Sequence, residues 1–96
     1  MQVVNPKAIY HFFQIININF EYLQMQDSSN CTADNVTIYD GSSSNSAIIE
    51  ILCGLLRGKL IYRSTGPSMY ILFRSDVSIT HRGFRGKLSE YDKNKY

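Results

Sequence analysis

Ile16-Asn17-Ile18-Asn19-Phe20 is the stretch of the sequence that decides the fold. Apolar and polar side chains alternate strictly along it, and a period of two residues is typical of a β-strand with one buried face. We therefore predict a half-buried strand here, with the two isoleucines and the phenylalanine directed toward a core.

Segments on the C-terminal side of this strand follow the same short period. They cover residues 36–39, 48–53, 69–73 and 84–88, and turn residues such as Asp40-Gly41 and Gly66-Pro67 separate them. No stretch keeps a helical period with caps over three turns, so no long helix is predicted. Short strands separated by turns predict an all-β antiparallel sandwich.

The length of 96 residues, with 44% hydrophobic and 19% charged residues, allows one globular core. We predict one domain over residues 1–91 and a polar tail over residues 92–96. No apolar run approaches the roughly 18 residues of a membrane span, so no transmembrane segment is predicted. Residues 1–6 do not resemble a signal peptide, so the signal of a secreted protein is expected upstream of this sequence.

Charged residues are unevenly distributed along the chain. Residues 1–56 hold one base and five acids, a net charge of −4, whereas residues 57–96 hold nine bases and three acids, a net charge of +6. Two interpretations remain open: solvated faces of one small domain, or a basic surface for acidic partners such as sulfated glycans. The overall charge of +2 is too small to indicate nucleic-acid binding by itself.

Two cysteines and two glycosylation sequons indicate an oxidising compartment. Cys31 and Cys53 lack the spacing of a zinc site, and a disulfide between them would stabilise the fold by about 3.4 kcal/mol. Two reduced thiols in the core are the alternative. The sequons Asn30-Cys31-Thr32 and Asn35-Val36-Thr37 predict glycans on their asparagines. Together these features favour the disulfide and a secreted or extracellular protein.

Catalysis is not predicted for this chain. The sequence contains no nucleophile elbow, phosphate-binding loop or metal-hydrolase pair. His11 lies beside Phe12-Phe13, a setting typical of a partly buried histidine, and His81 lies in a polar, basic segment. The tyrosines of the basic half lack the spacing of a nucleic-acid-binding motif, so nucleic acid is not a predicted partner.

Several segments, taken in order, resemble the CUB domain, a β-sandwich module of extracellular proteins. The resemblance covers roughly four-fifths of the chain, and the order of the segments makes it more specific than any one of them. The segments are Phe20-Glu21-Tyr22-Leu23-Gln24-Met25-Gln26 (F-x-x-F-D-L-E), Cys31-Thr32-Ala33-Asp34 (C-x-x-D), Val36-Thr37-Ile38-Tyr39-Asp40-Gly41 (v-x-I-y-D-G), Cys53-Gly54 (C-G), Ser64-Thr65-Gly66 (S-s-g), Phe73-Arg74-Ser75-Asp76 (F-x-S-D) and Gly83-Phe84 (G-F).

The resemblance implies a jelly-roll type sandwich that lacks the first strands of the family. The sequence contains no tryptophan and no counterpart of the N-terminal cysteine that family members usually carry. We therefore expect the first disulfide and its strands to be missing, which would leave a sheet edge exposed.

The resemblance also implies a function. CUB domains recognise proteins outside the cell, have no catalytic activity of their own and usually belong to a longer chain with other modules. We predict an extracellular recognition or adhesion module, with assistance from Ca²⁺. A Ca²⁺-independent glycan- or anion-binding module is the alternative, as is a structural spacer that binds nothing.

The predicted calcium site comes from the same resemblance. Many CUB domains hold Ca²⁺ with three acids, whose positions here are Gln26, Asp34 and Asp76, and Ser78 could add an oxygen. Ca²⁺ takes about six to eight oxygen ligands. Gln26 keeps an oxygen but lacks a charge, so a site weaker than that of three acids is predicted. The alternative is that Asp34 and Asp76 cap turns and face solvent.

Partner binding in the family is ionic, because a lysine or arginine of the partner pairs with the acids that calcium holds in place. The same rim of this chain carries His81, Arg82 and Arg85, which we predict to take part in partner binding. These bases would repel a cationic partner, so an acidic protein or a sulfated glycan is the alternative partner.

Overall fold

Alternation of apolar and polar residues produces strands through most of the described chain. The computed structural model describes residues 2–3, 7–11, 15–24, 31, 34–74 and 83–91. The predicted polar tail, residues 92–96, lies outside these residues, and the last described strand ends at Tyr91. The described strands are β1 (Gln2–Val3), β2 (Lys7–His11), β3 (Ile15–Gln24), β4 (Asn35–Asp40), β5 (Ala47–Leu52), β6 (Leu55–Arg63), β7 (Ser68–Arg74) and β8 (Gly83–Tyr91).

The strands form two sheets of four strands each. Their orders are β1-β8-β3-β6, here called sheet A, and β2-β7-β4-β5, here called sheet B, with every neighbouring pair antiparallel. The predicted all-β antiparallel sandwich is therefore confirmed. None of the described segments forms a helix that is long and apolar enough to cross a membrane.

The core lies between the two sheets, and β3 supplies its central row. Ile16, Ile18 and Phe20 are fully buried, while the asparagines between them are only partly buried, as the alternation predicted. Inward-facing residues of β4 and β7 meet this row from sheet B. The buried apolar side chains are Ile16, Ile18, Phe20, Leu23, Val36, Ile38, Tyr39, Leu52, Met69, Ile71 and Leu88.

β3 is longer than the strand predicted from the sequence, because a β-bulge interrupts its alternation. The pairing with β8 shifts between Phe20 and Tyr22. Phe20 and Leu23 are both fully buried, although strict alternation would direct them to opposite faces. The extra residue, Glu21, is exposed to solvent. A sequence pattern of period two cannot reveal a strand across such a shift.

The sequence did not predict β1, β2 or β6, and irregular patterns explain this. Residues 7–11 of β2 do not alternate, yet all five pair with β7. In the pairing of β6 with β3, Leu60 lies opposite Phe20 whereas Arg57 lies opposite Tyr22. Three steps along β6 therefore match two along β3, so the register between the two strands shifts in this segment.

β5 and β6 are edge strands of the two sheets, and both expose apolar side chains. Ile48 and Ile51 on β5 are 53% and 42% exposed, and Leu55 and Ile61 on β6 are 58% and 46% exposed. Edge strands have one unpaired side, which accounts for the weak burial of β5 compared with β4. The pairing of β5 with β4 also contains a register shift, a feature that bends an edge strand.

A buried serine ties the end of β6 to the start of β3. Ser64 is 4% exposed, and its Oγ accepts a hydrogen bond from the backbone N–H of Ile16 at 2.8 Å. The same hydroxyl donates to the carbonyl of Gly66 at 2.6 Å. The backbone N–H of Ser64 also donates to the carbonyl of Ile16 at 2.9 Å, so the side chain and the backbone of Ser64 together join this corner to β3.

Ser64→Ala is expected to lower the free energy of unfolding by about 1–3 kcal/mol, because it leaves the buried Ile16 N–H without its side-chain partner. Urea denaturation measures the change. Ser44→Ala, in the exposed turn before β5, is the matched control and is expected to change stability by less than about 0.5 kcal/mol. Equal stability of the two variants would contradict the role assigned to Ser64.

Asp40 has a structural role at the same end of the sandwich. Its two carboxylate oxygens accept hydrogen bonds from the backbone N–H of Thr65 at 2.9 Å and from the Thr65 hydroxyl at 2.7 Å. At the adjacent Gly41 a β-carbon would collide with the side chain of Ser46. The Asp40-Gly41 pair therefore closes the β4–β5 turn onto the corner between β6 and β7.

Candidate functional site

One end of the sandwich gathers the strands that flank the predicted ligand positions. β3 ends there at Gln24, opposite Gly83 at the start of β8, and β4 begins there at Asn35, opposite Arg74 at the end of β7. Asp34 immediately precedes β4, so we call this end of the molecule the Asp34 end. The short link between β5 and β6 joins the two sheets at the same end.

A disulfide holds this end together. Cys31 and Cys53 are bonded with an S–S distance of 2.05 Å and a Cα–Cα distance of 5.5 Å. The predicted disulfide is therefore confirmed, and the alternative of two reduced thiols is wrong. Cys31 adopts a left-handed backbone conformation with φ of 55°, and Gly54, next to the other cysteine, has φ of 79°. The bond links the segment before β4 to the corner between β5 and β6.

The side chain of Asn35 anchors the turn that carries Cys31. Its Nδ2 donates to the carbonyl of Cys31 at 3.0 Å, and its Oδ1 accepts from the hydroxyl of Thr37 at 3.0 Å. Asn35 is 9% exposed and Thr37 is 2% exposed, so both polar positions of this sequon take part in internal hydrogen bonds. The other predicted glycan carrier, Asn30, lies outside the described residues.

Asp34 is fully buried, with 0% of its surface exposed. The alternative in which this residue faces solvent is therefore wrong. A buried carboxylate requires hydrogen bonds or a nearby positive charge, and Asp34 does have an interaction partner within the fold. Its oxygens are the hard donors that Ca²⁺ prefers. As a calcium ligand, Asp34 would be held directly before β4 and next to the disulfide.

The remaining predicted calcium ligands, Gln26, Asp76 and Ser78, lie outside the described residues. In sequence they fall between β3 and β4 or between β7 and β8, whose ends meet at the Asp34 end. Within the described part of the chain, no three His, Cys, Asp or Glu side chains lie close enough together to hold a metal ion. Asp34 is thus the one predicted ligand whose surroundings the structure gives.

Arg85, one of the predicted partner-binding bases, lies on the solvent-facing side of β8. Its Nε is 3.5 Å from Oε1 of Glu21, and Nζ of Lys87 is 2.9 Å from the same oxygen. The other two predicted bases, His81 and Arg82, lie outside the described residues. Neither Glu21 nor Lys87 was predictable from the sequence, because the bulge that turns Glu21 toward β8 leaves no periodic signal.

These ion pairs lower the pKa of the Glu21 carboxyl. The hydrogen bond from Lys87 is the main cause that lowers the pKa of the Glu21 carboxyl, and the charges of Lys87 and Arg85 act in the same direction. Because this pKa is lowered, the ionised Glu21 carboxylate contributes to stability at pH values above its ordinary pKa of 4.5. That contribution is lost as the pH falls through the lower pKa of the folded state.

The melting temperature of the wild type is therefore expected to fall more steeply than that of Glu21→Gln as the pH drops below about 4.5. Thermal melts of both proteins between about pH 6 and about pH 3 measure the difference between their melting temperatures. The difference in melting temperature is expected to be small, because exposed ion pairs contribute little to stability. A difference that stays constant across this range would contradict the lowered pKa.

Comparison with known proteins identifies the family. The CUB domain profile matches residues 9–88. Human cubilin is 38% identical over 77 residues, which cover 80% of this chain and 2% of cubilin. Exoskeleton protein RP43 of Riftia pachyptila is 38% identical over 73% of this chain and 17% of that protein. Inactive serine protease PAMR1 of Bos taurus is 41% identical over 79% of this chain and 10% of that protein.

The chain thus spans no more than 17% of the length of these three relatives. The sandwich, the Cys31–Cys53 disulfide and the ordered motifs agree with the profile match over most of the chain. The chain belongs to the CUB domain family.

Proposed function

We propose that this chain is an extracellular protein-recognition module whose contact site is the Asp34 end, with assistance from Ca²⁺ and without catalytic activity. CUB domains are in general protein–protein interaction modules of extracellular proteins. The observation that carries the proposal is the complete burial of Asp34 at the end where β3, β4, β7 and β8 meet. A disulfide in this segment agrees with an oxidising compartment.

The chain would hold the ion with oxygen donors from two connections between strands. Asp34 would supply a charged ligand from the connection before β4, and Gln26 would supply a neutral oxygen from the same connection. Asp76 and Ser78 would contribute from the connection between β7 and β8. Bound Ca²⁺ would supply positive charge that allows these acids to lie together.

The recognition step is an ion pair with a basic residue of the partner. The disulfide and the Asn35 hydrogen bonds hold the Cys31 turn in place before the partner arrives. Acids positioned in advance lose little conformational entropy when a lysine or arginine pairs with them. Arg85 is a weaker obstacle to a cationic partner than its sequence position implies, because Glu21 already pairs with it.

Surface-sensor binding of a lysine-containing peptide to the immobilised chain tests this proposal. Measurements at about 150 mM salt suppress binding that depends only on general charge attraction. Saturable binding is expected in Ca²⁺, and EDTA is expected to abolish it. Acetylation of the peptide lysines removes their charge and is expected to have the same effect.

Two variants of equal charge change sharpen the test. Asp34→Asn is expected to abolish the Ca²⁺-dependent binding, whereas Glu50→Gln, on the exposed surface of β5, is expected to leave it intact. Binding that is equally strong in EDTA, or that is stronger for an acidic peptide, would contradict the proposed mechanism.

A further inference from the structure

The glycosylation sequon Asn35-Val36-Thr37 lies at the start of an internal strand. β4 pairs with β5 on one side and with β7 on the other, and Asn35 itself lies opposite Arg74 of β7. An asparagine that carries a glycan lies in a surface loop, because the sugar is bulky and has to stay in water. The sequence predicts a glycan on Asn35, whereas the sheet places this side chain among the buried residues.

Both polar side chains of the sequon are shielded from solvent and hydrogen-bonded. Asn35 is 9% exposed and Thr37 is 2% exposed. Nδ2 of Asn35 donates to the carbonyl of Cys31 at 3.0 Å, and the hydroxyl of Thr37 donates to Oδ1 of Asn35 at 3.0 Å. These bonds engage the nitrogen that would carry the sugar and the hydroxyl that completes the sequon. The folded chain thus uses both groups for its own structure.

Attachment of a glycan to Asn35 would disturb this arrangement. N-glycosylation joins Nδ2 to the anomeric carbon of an oligosaccharide, breaks the bond from that carbon to the phosphate of its lipid carrier, and transfers one amide proton to the released phosphate. The sugar would replace one of the two Nδ2 hydrogens in a close-packed region, since the neighbouring Asp34 is 0% exposed and Thr37 is 2% exposed. Asn35 would have to leave this position to bring the sugar into water, which would break its hydrogen bond to Cys31.

We propose that N-glycosylation of Asn35 and the native fold exclude each other, so that the folded protein keeps an unmodified Asn35 as the residue that holds the Cys31 turn. A glycan can reach Nδ2 only in a chain whose Cys31 turn is still open. The disulfide closes that turn, and its formation therefore protects the sequon from modification. The proposal does not rest on the calcium-assisted function, because it concerns the folding of the chain and involves no partner.

Mass spectrometry of the 96-residue chain, secreted from mammalian cells behind an added signal peptide, measures the glycan occupancy of each sequon. Limited proteolysis first removes unfolded chains, and a parallel sample without proteolysis retains them. Ala47→Thr provides the control, because it creates a further sequon at Asn45 in the exposed turn before β5. In the folded chains of this variant, occupancy at Asn35 is expected to be at least about ten-fold lower than at Asn45.

Removal of the disulfide, with Ala47→Thr retained, tests the competition between folding and modification. In the Cys31→Ser/Cys53→Ser double variant no covalent bond closes the Cys31 turn. Occupancy at Asn35 in the total protein is therefore expected to rise by about five-fold or more. Occupancy at Asn45 is expected to change by less than about two-fold, because this residue lies in an exposed turn.

Thermal melts of protein made without glycans test the structural role of the Asn35 amide. Asn35→Asp keeps the shape but puts a carboxylate oxygen in place of the donor to the Cys31 carbonyl, and is expected to lower the melting temperature by about 8–16 °C. Asn45→Asp makes the same charge change in an exposed turn and is expected to lower it by less than about 4 °C. Failure of Asn35→Asp to fold, with Asn45→Asp folded, would count as the larger loss.

Three results would overturn the proposal. They are a glycan on Asn35 in the folded chains, no rise in Asn35 occupancy when the disulfide is removed, and equal melting temperatures of Asn35→Asp and Asn45→Asp. None of these measurements involves Ca²⁺ or a binding partner, so failure of the calcium-assisted function would not affect them.

Discussion

Phe20→Ala is expected to lower the free energy of unfolding by about 3–5 kcal/mol. Phe20 is fully buried, and its ring contacts Tyr62 and Phe84 edge-on, with centroids 6.5 and 5.9 Å away. Phe84 in turn contacts Phe73 of sheet B at 5.7 Å, so this aromatic row joins the two sheets. Alanine leaves a cavity in the middle of the row and removes these ring contacts.

Guanidinium denaturation measures the loss, and two further variants make the result decisive. Phe20→Leu keeps most of the volume and is expected to cost about 1 kcal/mol, so it stays measurable even if the alanine variant does not fold. Ile61→Ala removes a side chain that is 46% exposed on the neighbouring strand, and is expected to cost less than about 1 kcal/mol. Similar losses for Phe20→Ala and Ile61→Ala would contradict the position of the core.

Removal of the disulfide has the second of the two largest expected effects. The Cys31→Ser/Cys53→Ser double variant is expected to lose about 3.4 kcal/mol, because the bond closes a loop with a sequence separation of 22. For a domain of this size, such a loss lowers the melting temperature by about 14–27 °C. Thermal melts followed by circular dichroism measure the change.

A reducing agent is the control for the disulfide prediction. It is expected to shift the melting temperature of the wild type toward that of the double variant, and to leave the double variant unchanged. The Asn35 hydrogen bond to the Cys31 carbonyl loses its fixed acceptor when the bond is absent. Equal melting temperatures for wild type and double variant under oxidising conditions would show that the disulfide adds no stability.

Strict alternation made much of the sandwich predictable from the sequence. In β3, the fully buried Ile16, Ile18 and Phe20 were identified because their partners in the pattern are polar. The pairing of Cys31 with Cys53 was predictable because the chain has no third cysteine. Where the alternation of apolar and polar residues matches the burial of the side chains, the strand and its buried face are predictable from a single sequence.

Bulges and non-local contacts account for what the sequence did not reveal. The register shift between β3 and β6 removed the signal of β6, and the bulge at Glu21 removed the signal of its two ion pairs. One alternative from the sequence places Asp34 in contact with solvent, because acidic side chains are usually exposed. Its complete burial depends on how the sheets and the disulfide meet, which no local pattern encodes.

Thermal melting in Ca²⁺ and in EDTA, with wild type and Asp34→Asn, tests the central claim most directly. A ligand that binds only the folded state stabilises it, and about 5 mM Ca²⁺ at a weak extracellular site should add about 1–2 kcal/mol. The wild type is therefore expected to melt about 4–15 °C higher in Ca²⁺, and Asp34→Asn to show no such shift. Identical wild-type melting in Ca²⁺ and EDTA would contradict a calcium-assisted recognition site at the Asp34 end.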